Sequence, residues 1–454
     1  MIAKPLHQLS IVEAGQQLRS GAITSRQLTD AALQRIAALD PQIRAFATLT
    51  VDRALADASQ ADDNFSRGID LGPMQGIPYA LKDLIDTAGI RTTAGSRLMF
   101  DHVPTEDAVV ARRLREAGGV LLGKLATYEF AVVGPSFDLP YPPARNPWNT
   151  DHITGGSSSG SAAAVAGGFV RTAIGTDTGG SIRSPACYCG VVGLKPTFGR
   201  VSLAGVYPLS PSLDHAGPLS ATVEEAALTL DIIAGDVAPS ARSRIGEDLR
   251  GLTIAYPRSF HITDPGAAPE VVTALDDAVS QLSLLGARIE EIDLPSYQLF
   301  EDCGAVILQA EAYAVHEHNL RARARDYGRL AYQSLAAGFV LSNADVARAR
   351  EVQRALTLRL NHDVFSRFDA IVCANVLAPA PRFDSFDGKT PRWTAMRTLP
   401  FNVTGHPALA LPIGLSKSGL PLGMQIVGKA FDEARVCQIG AAHEMATDTV
   451  QLMV

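Results

Sequence analysis

Gly155-Gly156-Ser157-Ser158-Ser159-Gly160-Ser161, an alanine-rich run, and then Gly175-Thr176-Asp177-Thr178-Gly179-Gly180-Ser181-Ile182-Arg183-Ser184-Pro185 form the stretch that decides how this chain is read. Two glycine-led serine clusters flank a short helical segment. Glycine pairs tolerate positive φ and let backbone N–H groups approach a ligand closely. Consecutive N–H groups in such a turn form an anion-binding concavity, and at Thr178 to Ser181 that concavity sits on a hydroxyl. Amides that converge beside a nucleophile suit acyl transfer, because the oxyanion of a tetrahedral intermediate needs fixed donors. One Gly-Gly-Ser alone reads as a tight turn. Two clusters this close, the second continuing into Ser-Ile-Arg, point to chemistry.

A serine nucleophile at 181 needs a base, and the nearest histidines, His152 and His215, have no evident relay partner in sequence. The chain holds only seven lysines among 40 basic residues, so a lysine inside an apolar run is informative. Lys82 lies in Gly76-Ile77-Pro78-Tyr79-Ala80-Leu81-Lys82-Asp83-Leu84-Ile85, a strand-like segment. Burial disfavours the ammonium and creates a neutral amine able to accept a proton. An ion pair with Asp83 or Asp86 is the alternative for Lys82. Lys124 and Lys195 also stand beside apolar residues and remain rival bases on composition alone.

Taken together, Gly155 to Ala164 and Gly175 to Arg183, with Gly76-Ile77-Pro78…Lys82-Asp83 upstream and Gly193-Leu194-Lys195-Pro196-Thr197 downstream, resemble the amidase signature family. The similarity runs from about Leu9 to Gly423-Met424-Gln425-Ile426-Val427-Gly428. The resemblance implies a Ser–cis-Ser–Lys triad with Ser181 as nucleophile, Ser157 as the bridging serine behind a cis peptide bond, and Lys82 as base. It also implies an oxyanion hole from the amides of Thr178, Gly179, Gly180 and Ser181, and a supporting shell of Ser158, Asp177 and Arg183. Neutral Lys82 would take the Ser157 proton while Ser157 takes that of Ser181. No metal and no cofactor are implied.

A net charge of −7 gives no general attraction to nucleic acid or an anionic membrane. With 46% hydrophobic and 19% charged residues the chain has material for a large core. Cys187, Cys189, Cys303, Cys373 and Cys437 are odd in number and mostly lie in apolar stretches, the pattern of buried thiols in a cytoplasmic protein. Met1 to His7 lacks the apolar core of a signal peptide, and no run reaches the roughly 20 apolar residues of a membrane span.

Along the chain, capping boxes at Ser10–Glu13 and Thr24–Gln27 open two helices, the second stopping before Pro41. Another helix covers about 53–62. From Ile77 strands and helices alternate: strand 77–82, a helix stopped at Gly118-Gly119, strand 120–124, a five-proline loop from Gly134 to Asn149, and a helix near Ser161 whose first turn the serines can cap. Val223 to Gly235 is helical, Pro239 to Glu247 reads as a linker, and strands at 252–256, 288–294, 369–374 and around Leu409 and Met424 follow. The alternation predicts an α/β protein with a large twisted mixed β-sheet covered by helices on both faces. It is read as one domain, with a helical part at 1–65, a catalytic core at 66–236 and the remaining sheet and pocket helices at 237–454. Arg321, Arg323, Arg325 and Arg329 read as a solvated helix face. His316 and His318 diverge on a helix.

The expected function is a metal-free serine hydrolase that cuts the C–N bond of a small-molecule amide or carbamate through an acyl-enzyme on Ser181. Expected with it are a cytoplasmic location, no nucleic-acid or membrane partner, and room for a homodimer. Phe130, Phe137 and Tyr141 are candidates for the substrate pocket. One alternative is the A subunit of a tRNA-dependent amidotransferase, which works in a complex and channels ammonia to aminoacyl-tRNA; the lack of basic charge counts against it. Another is an α/β-hydrolase esterase, because Gly156 to Gly160 formally satisfies G-x-S-x-G with Ser158 as nucleophile and His443 or His406 as base. That elbow needs a preceding strand, and Asn146 to Asp151 read as loop.

Overall fold

The computed structural model describes residues 4–447 with the exception of 236. Met1 to Ala3, part of the signal-peptide reading, lie outside the described residues. The strands are β1 (Phe46–Leu49), β2 (Pro78–Lys82), β3 (Val120–Leu125), β4 (Thr172–Asp177), β5 (Val192–Lys195), β6 (His215–Ser220), β7 (Thr253–Tyr256), β8 (Arg288–Glu291), β9 (Ala370–Ala374), β10 (Ala408–Leu415) and β11 (Pro421–Gly428). They form one mixed sheet in the order β1-β3-β2-β4-β6-β5-β10-β11-β9-β7-β8. β2 runs parallel to both β3 and β4, and β7 parallel to β8 and β9, while β4 through β6, β5, β10 and β11 to β9 alternate antiparallel.

Side chains alternate across a strand, and here both faces are apolar. Tyr79, Leu81, Ile174, Leu409 and Leu411 enter one core cluster; Ala80, Ala173 and Ala410 enter another on the opposite face. The first face packs the helices Val109–Glu116, Val223–Ala234, Pro269–Leu284 and Glu433–Thr447. The second packs Ser25–Ile43 and Ser159–Ala166. Lys82 shares its parity with Ala80, so β2 sends it toward the face covered by the helix that starts at Ser159.

Three local expectations are corrected. The second helix runs on through Pro41 to Ile43. Proline loses only one hydrogen bond this close to the C-terminus, and Ile36 and Ile43 gain burial. The helix predicted near Ser161 starts at Ser159, and its serines do not cap it. Ser158 Oγ donates to Thr176 O at 3.1 Å, Ser159 Oγ to Ala126 O at 3.2 Å and Ser161 Oγ to Ile174 O at 3.2 Å, pinning the helix to β4 and to the residue after β3. Pro239 to Glu247 is no linker: Ala241 is buried with its N–H on Asp231, and Arg200 donates to Pro239 O. All five cysteines are unpaired and buried. Among the described residues no helix is long and apolar enough to cross a membrane.

Candidate active site

Lys82 is fully buried at the end of β2, and its Nζ lies 2.8 Å from Ser157 Oγ and 2.8 Å from Thr176 Oγ1. The peptide bond Gly156–Ser157 is cis. A Cβ at 156 would run into the Tyr128 ring, so only glycine lets the chain pass here. Burial pushes the Lys82 ammonium down to about 7, against a weaker opposing pull from Asp177 and Asp214. Near neutrality a large fraction of this amine is therefore unprotonated.

Ser181 is nearly buried and lines a cleft with Tyr128, Gly156, Gly179, Trp393 and Met396. Its loop is fixed at every residue. Thr178 Oγ1 donates to Asp214 at 2.6 Å, Gly179 O accepts from Thr398 Oγ1 at 2.5 Å, and Ser181 O accepts from Ser158 N at 3.2 Å. Gly180 N donates to Asp177 Oδ1 at 2.8 Å. That bond removes Gly180 from the expected set of oxyanion donors, since an amide already held by a carboxylate cannot also meet an oxyanion; Thr178, Gly179 and Ser181 remain.

Asp177 is the anchor. It accepts from Arg183 Nε and Nη2 at 3.0 Å each, from Ile182 N at 3.1 Å and from Asn402 Nδ2 at 2.8 Å. Burial alone would raise its pKa, but the Arg183 guanidinium outweighs it and holds the carboxyl far below the ordinary range. Arg183 is itself fully buried and reaches Gln425 Oε1 and Thr398 O at 2.9 Å. Ser158 is sealed between Thr176 N and Thr176 O.

The rivals fall elsewhere. Lys124 donates to Ile85 O and Thr92 Oγ1 at 2.6 Å, with Asp83 at 3.6 Å. Lys195 donates to His406 O and Pro196 O. The esterase elbow fails, because no strand leads directly into Gly156, Ser158 is fully buried, and His406 is occupied with Thr404 and Asn361. His215 is buried with Nδ1 2.7 Å from Leu213 O, and His152 Nδ1 lies 2.6 Å from Ala380 O. Phe130 is no pocket residue: it is buried against Tyr207, His316 and Tyr327. Phe137 is exposed, and Tyr141 faces a separate small cavity beside Asp83. His316 is in the core on Tyr327 while His318 is exposed. Sequence reasoning missed Thr176, whose hydroxyl Lys82 holds, and the Trp393–Met396 wall.

An amidase-type enzyme is the class that this fold and site define. The family model for amidases matches residues 27–437, and the chain belongs to that amidase signature family. The A subunit of the glutamyl-tRNA(Gln) amidotransferase of Roseiflexus sp. (strain RS-1) is 38% identical over 98% of this chain and 97% of that protein. A solved amidase superimposes with a TM-score of 0.87 at 33% identity, covering 96% of this chain and 100% of that one. The A subunit of the glutamyl-tRNA(Gln) amidotransferase of Thermotoga maritima does so with a TM-score of 0.80 at 30% identity, covering 98% and 96%.

These relatives correct two expectations. A free-standing hydrolase of small-molecule amides or carbamates, without nucleic-acid partners, is not what the curated full-length relatives at 37–38% identity are named for. They carry the name of one subunit of an enzyme for glutamyl-tRNA. A net charge of −7 denies this chain a general grip on a polyanion, but it does not test whether a chain is one subunit of a larger enzyme.

Proposed function

We propose that the chain is the amide-cleaving A subunit of a tRNA-dependent amidotransferase, with Lys82, Ser157 and Ser181 as its triad. The observation that carries the reading is the 38% identity to subunits of that name across nearly the whole of both chains. The 2.8 Å contact of Lys82 Nζ with Ser157 Oγ supports it. Ser181 Oγ attacks the carbonyl of a carboxamide donor, its proton passing to Ser157 Oγ as the Ser157 proton passes to Lys82 Nζ. Thr176 Oγ1 accepts from Lys82 and so turns the amine's lone pair to Ser157. The amides of Thr178, Gly179 and Ser181 meet the oxyanion. Collapse expels ammonia, which receives its proton from Ser157, and water then releases the acid from Ser181. In the assembled enzyme the ammonia passes to the aminoacyl-tRNA. Asp177, Arg183 and Ser158 hold the serine loop.

Ammonia release from glutamine, measured for the chain alone and then with partner subunits and glutamyl-tRNA(Gln), tests this. Turnover should rise at least tenfold in the complete assembly, and amide nitrogen should appear on the tRNA. Fast turnover of simple amides by the chain alone, indifferent to tRNA and partners, would overturn it.

A further inference from the structure

β4 and β6 pair antiparallel with Asp177 opposite His215. The same register carried one residue further sets Thr178 against Asp214, just beyond the strand ends. Thr178 Oγ1 donates to Asp214 Oδ1 at 2.6 Å. The Asp214 carboxylate also accepts from Leu209 N at 2.9 Å and from Ser210 N at 3.1 Å, which closes the loop that leads into β6. Ser210 is fully buried and serves two partners. Its N–H goes to Asp214, and its hydroxyl donates to Glu311 Oε2 at 2.6 Å. Glu311, on the helix Tyr297–Ala322, also accepts from Ser212 N at 3.1 Å and from Ser212 Oγ at 3.0 Å. Its other oxygen takes the guanidinium of Arg350, which is partly exposed on the helix Asn343–Arg359. A continuous chain of charge-assisted hydrogen bonds thus runs from the surface, through two carboxylates, to Thr178. These groups take no part in the proton relay of Lys82, Ser157 and Ser181.

We infer that Asp214 and Glu311 are positioning residues for amide cleavage: Asp214 fixes Thr178 so that its amide meets the oxyanion, and Glu311 fixes Asp214 through Ser210. An oxyanion donor contributes only if it is already aimed when the charge develops. Thr178 stands directly before Gly179-Gly180, a pair with no side chains to restrain its backbone. A hydroxyl tied to a buried carboxylate supplies that restraint. Asp214 has a second action, through its charge. Asp177, ion-paired with Arg183, and Asp214 are the two carboxylates whose field holds the Lys82 pKa up against burial. The groups in contact with the amine, Ser157 and Thr176, are uncharged hydroxyls. Removing the Asp214 charge therefore favours the neutral amine, whereas loosening the site and admitting water would favour the ammonium. The inference rests on the assignment of Lys82, Ser157 and Ser181 as the triad.

Ammonia release from glutamine and from propionamide, with kcat and KM resolved across pH, tests this. Thr178→Val keeps the shape and loses the donated proton; it should lower kcat about tenfold with KM little changed, and Thr178→Ser should recover most of the loss. Asp214→Asn should cost at least as much in kcat and move the acid limb of kcat/KM to lower pH. The two changes together should cost little more than Asp214→Asn alone, since both break the same bond. Glu311→Gln should lower kcat about threefold and leave the acid limb in place. A Thr178→Val or Glu311→Gln enzyme at the parent kcat overturns the inference, as does an acid limb that stays or moves to higher pH in a folded Asp214→Asn protein. Thr178→Val and Thr178→Ser decide the matter where Asp214→Asn does not fold. Ser181→Ala is the control on the underlying reading: if it still releases ammonia, the triad assignment itself falls. If propionamide gives the expected pattern while glutamine is never used, the positioning residues stand and the amidotransferase reading falls.

Discussion

Lys82 and Lys124 sit side by side on parallel strands: Lys124 of β3 pairs in register with Leu81 of β2, and Lys82 with Leu125. Both are fully buried and both have depressed pKa values, about 7 and about 8, with burial the main cause in each. Burial therefore does not separate a base from a structural cation. Their partners do. Lys124 has a carboxylate, Asp83, 3.6 Å away, and it donates to a carbonyl that can only accept and to the Thr92 hydroxyl, which itself donates to Ile90 O. Lys82 has two hydroxyls, one of which, on Ser157, can give it a proton. The carboxylates that might have held it charged are engaged elsewhere: Asp177 with Arg183, and Asp214 with Thr178 and the amides of Leu209 and Ser210.

The largest expected effect breaks the pair open. Lys82→Ala should lower kcat by about three decades or more, measured as ammonia release, because the relay loses its only proton acceptor. Lys124→Met should not do so. A Lys82→Ala enzyme within tenfold of the parent would remove the base assignment. The next effect is in pH. Only the neutral amine accepts a proton, so activity is lost as pH falls through the folded pKa. kcat/KM should drop about tenfold per unit below 7 and level off above it. A profile still climbing at pH 9 to 10 would mean that Lys82 keeps its solution pKa. A smaller effect is expected at Thr176→Val, which removes the acceptor that orients Lys82: about tenfold in kcat, with the pH midpoint displaced and KM little changed.

The same contrast shows what could be read before any coordinates. β2 was legible as an apolar strand, but the choice of Lys82 came from the family resemblance, because an ion pair is as ordinary a use for a lysine there and composition left Lys124 and Lys195 as rivals. The glycine pair singled out the loop of Ser181, where the close approach to Thr398 demands it, whereas Ser157 was chosen among three serines by the family resemblance. Thr176 was not legible. In Gly-Thr-Asp-Thr-Gly-Gly-Ser two threonines look alike, and only the pairing of β4 with β2, Leu81 against Ile174, brings the first of them to the amine. Trp393 and Met396 were hidden for the same reason, since roughly 200 residues separate them from the serine loop they face. Gly180 misled because the Gly-Gly pattern reports where amides can turn inward, not which one a neighbouring carboxylate has already taken. The choice between a free hydrolase and a subunit of a larger assembly was hidden more deeply: the same acyl-enzyme chemistry serves both, and no local pattern distinguishes them.

The smallest expected effect on turnover is the most searching for the comparison. Lys124→Met deletes the cation and keeps the apolar stem, leaving Asp83 buried with Thr93 as the only donor to its side-chain carboxylate among the described residues. Burial already raises the Asp83 carboxyl, and Lys124 is the first group that counters it. Breaking such a pair on one side costs about 3–5 kcal/mol, so the thermal midpoint should fall clearly while kcat per folded molecule stays within about threefold. Adding Asp83→Asn should recover much of that stability, because the stranded charge is then gone, and the coupling between the two changes should exceed about 1 kcal/mol. If Lys124→Met instead abolished turnover in a protein that still melted normally, the division between a chemical lysine on β2 and a structural one on β3 would be wrong, and the proton would have to travel through both strands.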